Sequence, residues 1–440
     1  EHPVNLNGMI QACEPSVRNE FMMSTTITDT LPQPVDTESL KAKLHRAERI
    51  NRLKSFGLIL PLIIFLVVVF LVPLVIMLKK SVDNPEVSAL LPATVTAMAN
   101  WDGKALPPED VYKALALDIE KANDNDVLGN LGKRLNTEIS GYRSLLNNTA
   151  DSLPLDPVPT SYKQALIDLD ARWGDATYWQ SIYRNSSPYT ANYLLSSLDL
   201  QKNQAGEIVK VSEGQAIYQD VFVRTFWMSL IITAACLVLA YPLAYTLATL
   251  PDRSANLLMI CVLLPFWTSV LVRVAAWIVI LQNNGLVNTF LEHFGLIDSP
   301  LQLVFNRFGV YVAMVHIMLP FMILPLYSVM KNIPKTYQRA AISLGCPPMV
   351  SFWLVYFPQT YAGIGAGCLL VFILSIGYYI TPALLGGPSD QMVSYFVAFY
   401  TNTTINWGMA TALGGLLLLA TLILYVIYSW LVGANRLRLG

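Results

Sequence analysis

The chain reads as an all-α membrane protein with six transmembrane helices and a large, mainly helical extracytoplasmic insert between the first two. Three observations predict this. Of 440 residues, 54% are hydrophobic and only 13% charged, against about 25% charged in a soluble domain. Apolar runs long enough to cross a bilayer recur six times. Lysine and arginine gather in alternate connections.

A bilayer core about 30 Å thick needs about 20 mostly apolar helical residues. Residues 57–78 meet that length without a charge, and 226–250 do so again. Residues 257–281 form a third candidate interrupted by Arg273, and 310–330 a fourth carrying His316. Residues 362–385 and 408–431 complete the set.

Orientation follows from basic residues in short loops. Lys41, Lys43, Arg46, Arg49, Arg52 and Lys54 precede the first span, and Arg253 follows the second. Lys331, Lys335 and Arg339 follow the fourth, and Arg436 and Arg438 lie in the tail. The alternate connections are poorer, with Arg307 alone in one and neither Lys nor Arg in 386–407. Both termini are therefore expected in the cytoplasm.

Four regions result: a cytoplasmic tail 1–56, expected to be partly disordered; the first span 57–78; an insert 81–220; and a core 221–433 with five spans and a connecting loop 331–361. No cleaved signal peptide is visible, and Met22 or Met23 is a candidate start. In the insert, Pro107-Pro108-Glu109-Asp110 reads as a helix start ahead of 111–122. Residues 161–173 carry Ala165, Leu166, Leu169 and Trp173 at helical spacing. Residues 81–219 hold 18 acidic and 11 basic residues, which read as a solvated surface.

Net charge is −1, which offers nothing to nucleic acid. Cys13, Cys236, Cys261, Cys346 and Cys368 lack metal-ligand spacing, and the four near apolar segments read as small buried hydrophobes. A phosphate-binding loop needs G-x-x-x-x-G-K-[ST]. Gly132-Lys133 comes nearest, with Val127 and Arg134 at the wrong positions, so no nucleotide-hydrolysing site is expected in this chain.

The connection after the fourth span is the most informative stretch. Pro334 to Gly345 suggests a short helix bearing Ala340 and Ala341 and closed by a glycine suited to positive φ. Pro347-Pro348 cannot continue it, and a second amphipathic run, 350–356, leads to Pro358. This is a compact helix–turn–helix block with a small-residue face. Ala340-Ala341, Gly345 and Pro358, the last two thirteen positions apart, resemble the EAA loop of ABC importer permeases. Arg339 stands where that signature has an acid, so docking would rest on shape or on an acidic partner residue.

Two further stretches, Leu264-Pro265-Phe266-Trp267-Thr268-Ser269 through Arg273 to Trp277 and Ile380 to Pro388, are similar to the spermidine/putrescine-type permeases, and so is Gly285-Leu286-Val287-Asn288. The likeness runs from about Val221 to the C-terminus and includes the first span. It implies a type I ABC importer permease fold in a bacterial inner membrane. It also implies a second permease, two ATP-binding subunits carrying ATP and Mg, and a periplasmic solute-binding protein. Arg339, Ala340, Ala341, Gly345 and Pro358 would then couple the chain to the ATPase. The chain itself would be no enzyme and hold no cofactor. Polyamines come first as solute, ahead of an opine or amino-acid derivative.

Tyr378, Tyr379 and Thr381 interrupt the fifth span and form a candidate solute path, since tyrosine faces can hold organic cations. Arg273 is an intramembrane charge; on a polyamine path it would have to be paired or set aside. His316 reads as a helix–helix hydrogen-bond partner, and Gly363 and Gly367 as a close-contact pair. An ion-coupled secondary transporter would show more intramembrane charge and a repeat. An intramembrane enzyme would need a metal pair or catalytic dyad, and His316 has no such neighbour one turn away.

Overall fold

A computed structural model describes residues 37–436, apart from 137, 204–206 and 213. The expectations of a disordered tail end and a start at Met22 or Met23 concern residues outside that range. The chain divides into two compact units, Glu1–Pro73 and Leu74–Gly440.

Helix α1 (Thr37–Leu66) continues through a π turn, Val67–Leu71, into α2 (Val72–Lys79). The Val72 amide donates to the Val67 carbonyl five residues back. Pro73, with no N–H and a ring that crowds the preceding turn, accounts for the widening. Residues Lys54–Lys79 form an apolar helix of spanning length, with no residue of its apolar window buried.

The insert is a helical domain with its own core. It comprises α3 (Pro85–Leu90), α4 (Pro92–Ala97), α5 (Glu109–Asp124), α6 (Leu128–Asn136), α7 (Tyr142–Asp151), α8 (Tyr162–Leu169), α9 (Ala176–Arg184) and α10 (Asn192–Ser196). A short antiparallel hairpin, β1 (Leu200–Lys202) and β2 (Ile208–Lys210), closes it with Leu200 opposite Lys210. Helix α5 begins after Pro108 as its sequence predicts. The helical pattern over 161–173 is broken instead: Asp170 turns extended, its side chain accepts the Arg172 amide, and a 3₁₀ turn carries Trp173 inward.

Trp173, Trp179, Tyr112 and Tyr142 fill the centre of the insert. Their polar ends are satisfied, as buried aromatic donors require. Tyr112 Oη and Trp179 Nε1 both donate to the Trp173 carbonyl at 2.9 Å, and Trp173 Nε1 donates to Thr149 Oγ1 at 2.9 Å. Burial pushes the Tyr112 phenol up to about 12. The charges are not all solvated, contrary to the sequence reading. Asp118 is buried because its carboxylate accepts both the amide and the hydroxyl of Thr94 at 2.8 Å. Arg134 is buried against Asn84, Asn185 and Glu138. Helix α6 also removes the phosphate-loop near miss, since Gly132 lies inside it against Arg143.

The core begins with α11 (Tyr218–Thr249) and includes α15 (Arg307–Lys331), α19 (Tyr361–Ile376) and α22 (Trp407–Arg436). Met228, Ile232 and Cys236 of α11 join Met314, Met318 and Met322 of α15 and Val371 of α19 in one buried cluster. Gly363 and Gly367 permit this contact: a Cβ on either would press on Val329 or Met322 of α15. Among the described residues five helices have spanning length and apolarity, or six if one bent pair counts as a span.

Two predicted spans differ in detail. Residues 257–281 are not one helix: α12 (Asp252–Leu263) gives way to a 3₁₀ turn, Leu264–Trp267, before α13 (Val270–Leu281). Pro265 starts that turn and the chain is extended at Thr268. The apolar helical run instead extends over Val270–His293, taking in α14 (Leu286–His293). Predicted span 362–385 stops at Ile376, and 377–379 separate it from α20 (Ile380–Leu385). Cys236 is buried, but Cys261 is exposed on α12, where an apolar side chain can face lipid; Cys13 lies outside the described residues.

The insert is fastened to the core at two helix starts. Buried Asp199 accepts the amides of Ile217, Tyr218 and Gln219, capping α11 with a carboxylate. The Tyr218 hydroxyl bonds that of Tyr400 on α21 (Val393–Asn402). Gly408 leaves room for the Tyr193 ring against the first turn of α22.

Trp173→Ala is expected to destabilise the insert by about 3–5 kcal/mol, the usual cost of emptying a buried aromatic site. Thermal unfolding of the purified chain followed by tryptophan emission measures it; an unchanged midpoint would contradict this packing.

Candidate functional site: the coupling loop and a buried polar niche

After α15 the chain turns through 332–334 into α16 (Lys335–Ser343), which carries Arg339, Ala340 and Ala341. The helix closes with paired reverse bonds: the Cys346 amide donates to the Ala341 carbonyl at 3.0 Å and the Gly345 amide to Ile342 at 2.9 Å. Gly345 sits at φ +91°, so this is a glycine-dependent C-terminal motif. Pro347 then leads into α17 (Pro348–Ser351).

Residues Phe352–Tyr356 form a second π turn, and Phe357 donates its amide to Phe352 five residues back. Pro358 in α18 (Phe357–Gln359) explains it as Pro73 explains the first. The segment Pro348–Gln359 meets α19 at a bend of 59°. The structure thus places Arg339, Ala340, Ala341 and Gly345 on one short helix and its turn, with Pro358 apart, at the elbow leading into the core.

Rings lock that elbow to α11. Tyr245 lies 5.5 Å from Phe352 and 5.3 Å from Tyr356, nearly perpendicular to both. Tyr241 lies 5.6 Å from Phe357, and its hydroxyl is within 3.3 Å of Thr360 Oγ1. Lys335 Nζ reaches the Thr249 carbonyl at 3.4 Å, and Lys331 pairs with Asp252 at 2.8 Å. That pair is exposed and holds the Asp252 carboxyl below its usual range, but contributes little to stability. A cavity of about 230 Å³ lies behind α16, lined by Ala248, Met330, Gln338 and Tyr356 among others.

The loop also presents an apolar surface that sequence reasoning passed over. Leu344 is 89% exposed at the tip of α16, and Tyr337, Ile342 and Met349 are exposed around it. The spacing of Tyr337, Ala341 and Leu344 was the available signal, because i, i+4 and i+7 share a helix face. The aromatic clamp was equally legible in the i, i+4 pairs Tyr241/Tyr245 and Phe352/Tyr356.

Inside the core, the Tyr378 hydroxyl and Thr381 Oγ1 are buried and meet no hydrogen-bond partner beyond each other. Arg273 Nε on α13 is buried without a partner. Arg273 is an electrostatic neighbour of both Tyr378 and His316. No ion pair involves Arg273 among the described residues, so the carboxylate expected of a paired arginine is not supplied there. Tyr379, by contrast, is exposed. The Trp277 indole N–H donates to His316 Nδ1 at 3.1 Å, the helix–helix bond expected of that histidine. The niche therefore gathers Arg273, Tyr378 and Thr381, and excludes Tyr379.

The arrangement is a short helix and a ring-locked elbow on a core of long apolar helices, an architecture that suits a transport permease. The family described as "Binding-protein-dependent transport system inner membrane component" matches residues 238–437. The spermidine/putrescine transport system permease protein PotB of Salmonella typhimurium (strain SL1344) is 36% identical over 199 residues, covering 45% of this chain and 69% of that protein. PotB of Haemophilus influenzae is 34% identical over 222 residues, covering 50% and 76%. A solved bacterial alginate ABC transporter in complex with alginate pentasaccharide-bound periplasmic protein aligns at TM-score 0.41 and 14% identity, over 48% of this chain and 77% of that one.

The chain belongs to the binding-protein-dependent transport system inner membrane components. It is the permease subunit of an ABC importer, an inner-membrane protein, and the ion-coupled alternative is set aside. The family match begins at residue 238 and includes neither the insert nor the first span.

Tyr245→Ala is expected to cost about 1–3 kcal/mol, since each aromatic pair contributes about 0.5–1.5 kcal/mol beyond its buried area. Tyr245→Phe should be near neutral. Thermal midpoints of the purified variants check this, and equal losses in both would contradict a role for the rings.

Proposed function

We propose that this chain imports a polyamine such as spermidine or putrescine, or a related small organic cation, as one member of a permease pair. Two separate ATP-binding subunits carrying ATP and Mg drive it, and a periplasmic solute-binding protein loads it. Both termini lie in the cytoplasm, and the insert lies outside. The observation that carries the solute is the 36% identity to a permease named for spermidine and putrescine.

Closure of the ATP-binding subunits moves α16, whose exposed face of Ala340, Leu344 and Gly345 seats in them. Because the elbow is ring-locked to α11, that movement reaches α11 and α19 and switches access to the path. Arg339 places a cation on the docking face, so an acidic group on the partner is its expected counterpart.

A second reading, a solute bearing a carboxylate such as an opine, is favoured by one observation: Arg273 presents a buried, unpartnered N–H beside Tyr378. A buried charge is costly without a counter-charge. On the polyamine reading, the second permease supplies that carboxylate or Arg273 stands off the path. On the opine reading, the solute supplies it.

Gly345→Val forces a β-branched residue into left-handed backbone, which costs an L-residue about 1–2 kcal/mol. The expected outcome in reconstituted vesicles is loss of solute uptake with ATP hydrolysis continuing, measured together on the assembled importer. Uptake that stays coupled in this variant, or proceeds without ATP-binding subunits, would overturn the assignment. Competition between putrescine and an opine for uptake separates the two solute readings.

A further inference from the structure

A cavity of about 470 Å³ lies between the insert and the loop that opens α22, away from the coupling loop and the niche. Its walls include Glu86, Tyr193 and Trp407, together with Lys80, Lys133 and Arg134. The basic residues are already engaged. Lys80 pairs with Asp83 at 3.8 Å, and Lys133 Nζ reaches the Ile405 carbonyl at 3.4 Å. Arg134 donates to Asn84 Oδ1 at 2.7 Å and to Asn185 Oδ1 at 2.5 Å, and its guanidinium lies 5.5 Å over the Tyr193 ring.

Glu86 is the exception. Its Oε2 is buried and has no hydrogen-bond partner. A buried carboxylate oxygen left unpaired is uncommon in folded proteins and calls for a donor. Trp407 adds a π face, which attracts cations, and the Tyr193 ring already holds one cation, Arg134, over its face. A carboxylate acceptor flanked by two aromatic rings, among cations that are satisfied elsewhere, suits a ligand with N–H donors and positive charge.

We infer that this cavity is a binding site for a primary ammonium group, with Glu86 as its acceptor and Trp407 and Tyr193 as its walls. The ammonium belongs either to a small soluble amine or to a phosphatidylethanolamine headgroup at the membrane surface. On the orientation proposed above, on which this placement rests, the cavity stands at the outer face ahead of the membrane path. The family match starts at residue 238, so two of the three residues assigned here, Glu86 and Tyr193, lie outside it, in the insert.

The test is equilibrium dialysis of labelled putrescine against the purified full chain in phosphatidylcholine nanodiscs. A saturable site is expected, weakened about tenfold in Glu86→Gln, equivalent to ~1.4 kcal/mol, and restored by Glu86→Asp. Asp110→Asn, an exposed carboxylate outside the cavity, should bind as the native chain does. Repeating the measurement in phosphatidylethanolamine nanodiscs assigns the source: competition marks the headgroup, and its absence marks the soluble amine. Binding in Glu86→Gln equal to the native chain, with native thermal midpoints in both, would overturn the proposal. The readout needs neither ATP-binding subunits nor uptake, so failed polyamine import would count against the proposed function and leave this site standing.

Discussion

The contact on which the account turns is the ring cluster joining α11 to the elbow before α19. On the proposed coupling role, a nine-residue helix can transmit movement only if its far end is stiff. Tyr241 and Tyr245 on one side and Phe352, Tyr356 and Phe357 on the other supply that stiffness. Aromatic side chains suit this role because they bury large areas with few rotatable bonds. The π turn at Phe352–Tyr356 aims them, and Pro358 produces the π turn. Gly345 closes the other end with a conformation that other residues adopt only under strain.

This arrangement divides the chain by mechanical duty. The tight packing of α11, α15 and α19 through Gly363 and Gly367 makes the centre rigid. The outward faces remain apolar, with Val238, Trp227 and Trp430 exposed. The insert stands on its own aromatic core and grips the starts of α11 and α22 through Asp199 and Tyr193. It can therefore add a site at one end of the helices without disturbing the loop at the other.

Much of this was legible in the sequence because bilayer thickness imposes length and apolarity directly. The spans at 57–78, 226–250, 310–330 and 408–431 carry that signal without interruption. The breaks inside 257–281 and 362–385 were less legible, because hydropathy does not respond to Pro265 or to the non-helical residues 377–379. The loop was readable because its turn needs glycine and its bend needs proline. The buried state of Asp118, Arg134 and Asp199 was not, since their partners lie far away in sequence and only folding brings Thr94, Asn185 and Ile217 to them. The same holds for Arg273, whose nearness to Tyr378 and His316 joins three separate segments.

The central claim is that the α16 turn is the surface held by the ATP-binding subunit. Cross-linking on the assembled importer tests it most directly, with cysteine introduced by Leu344→Cys in a chain whose Cys346 is changed to serine. The account predicts cross-links from that position to the ATP-binding subunit that change with nucleotide, and none from Ile405→Cys beside the insert. Cross-links from Ile405→Cys alone, or labelling of Leu344→Cys from outside intact cells, would contradict it.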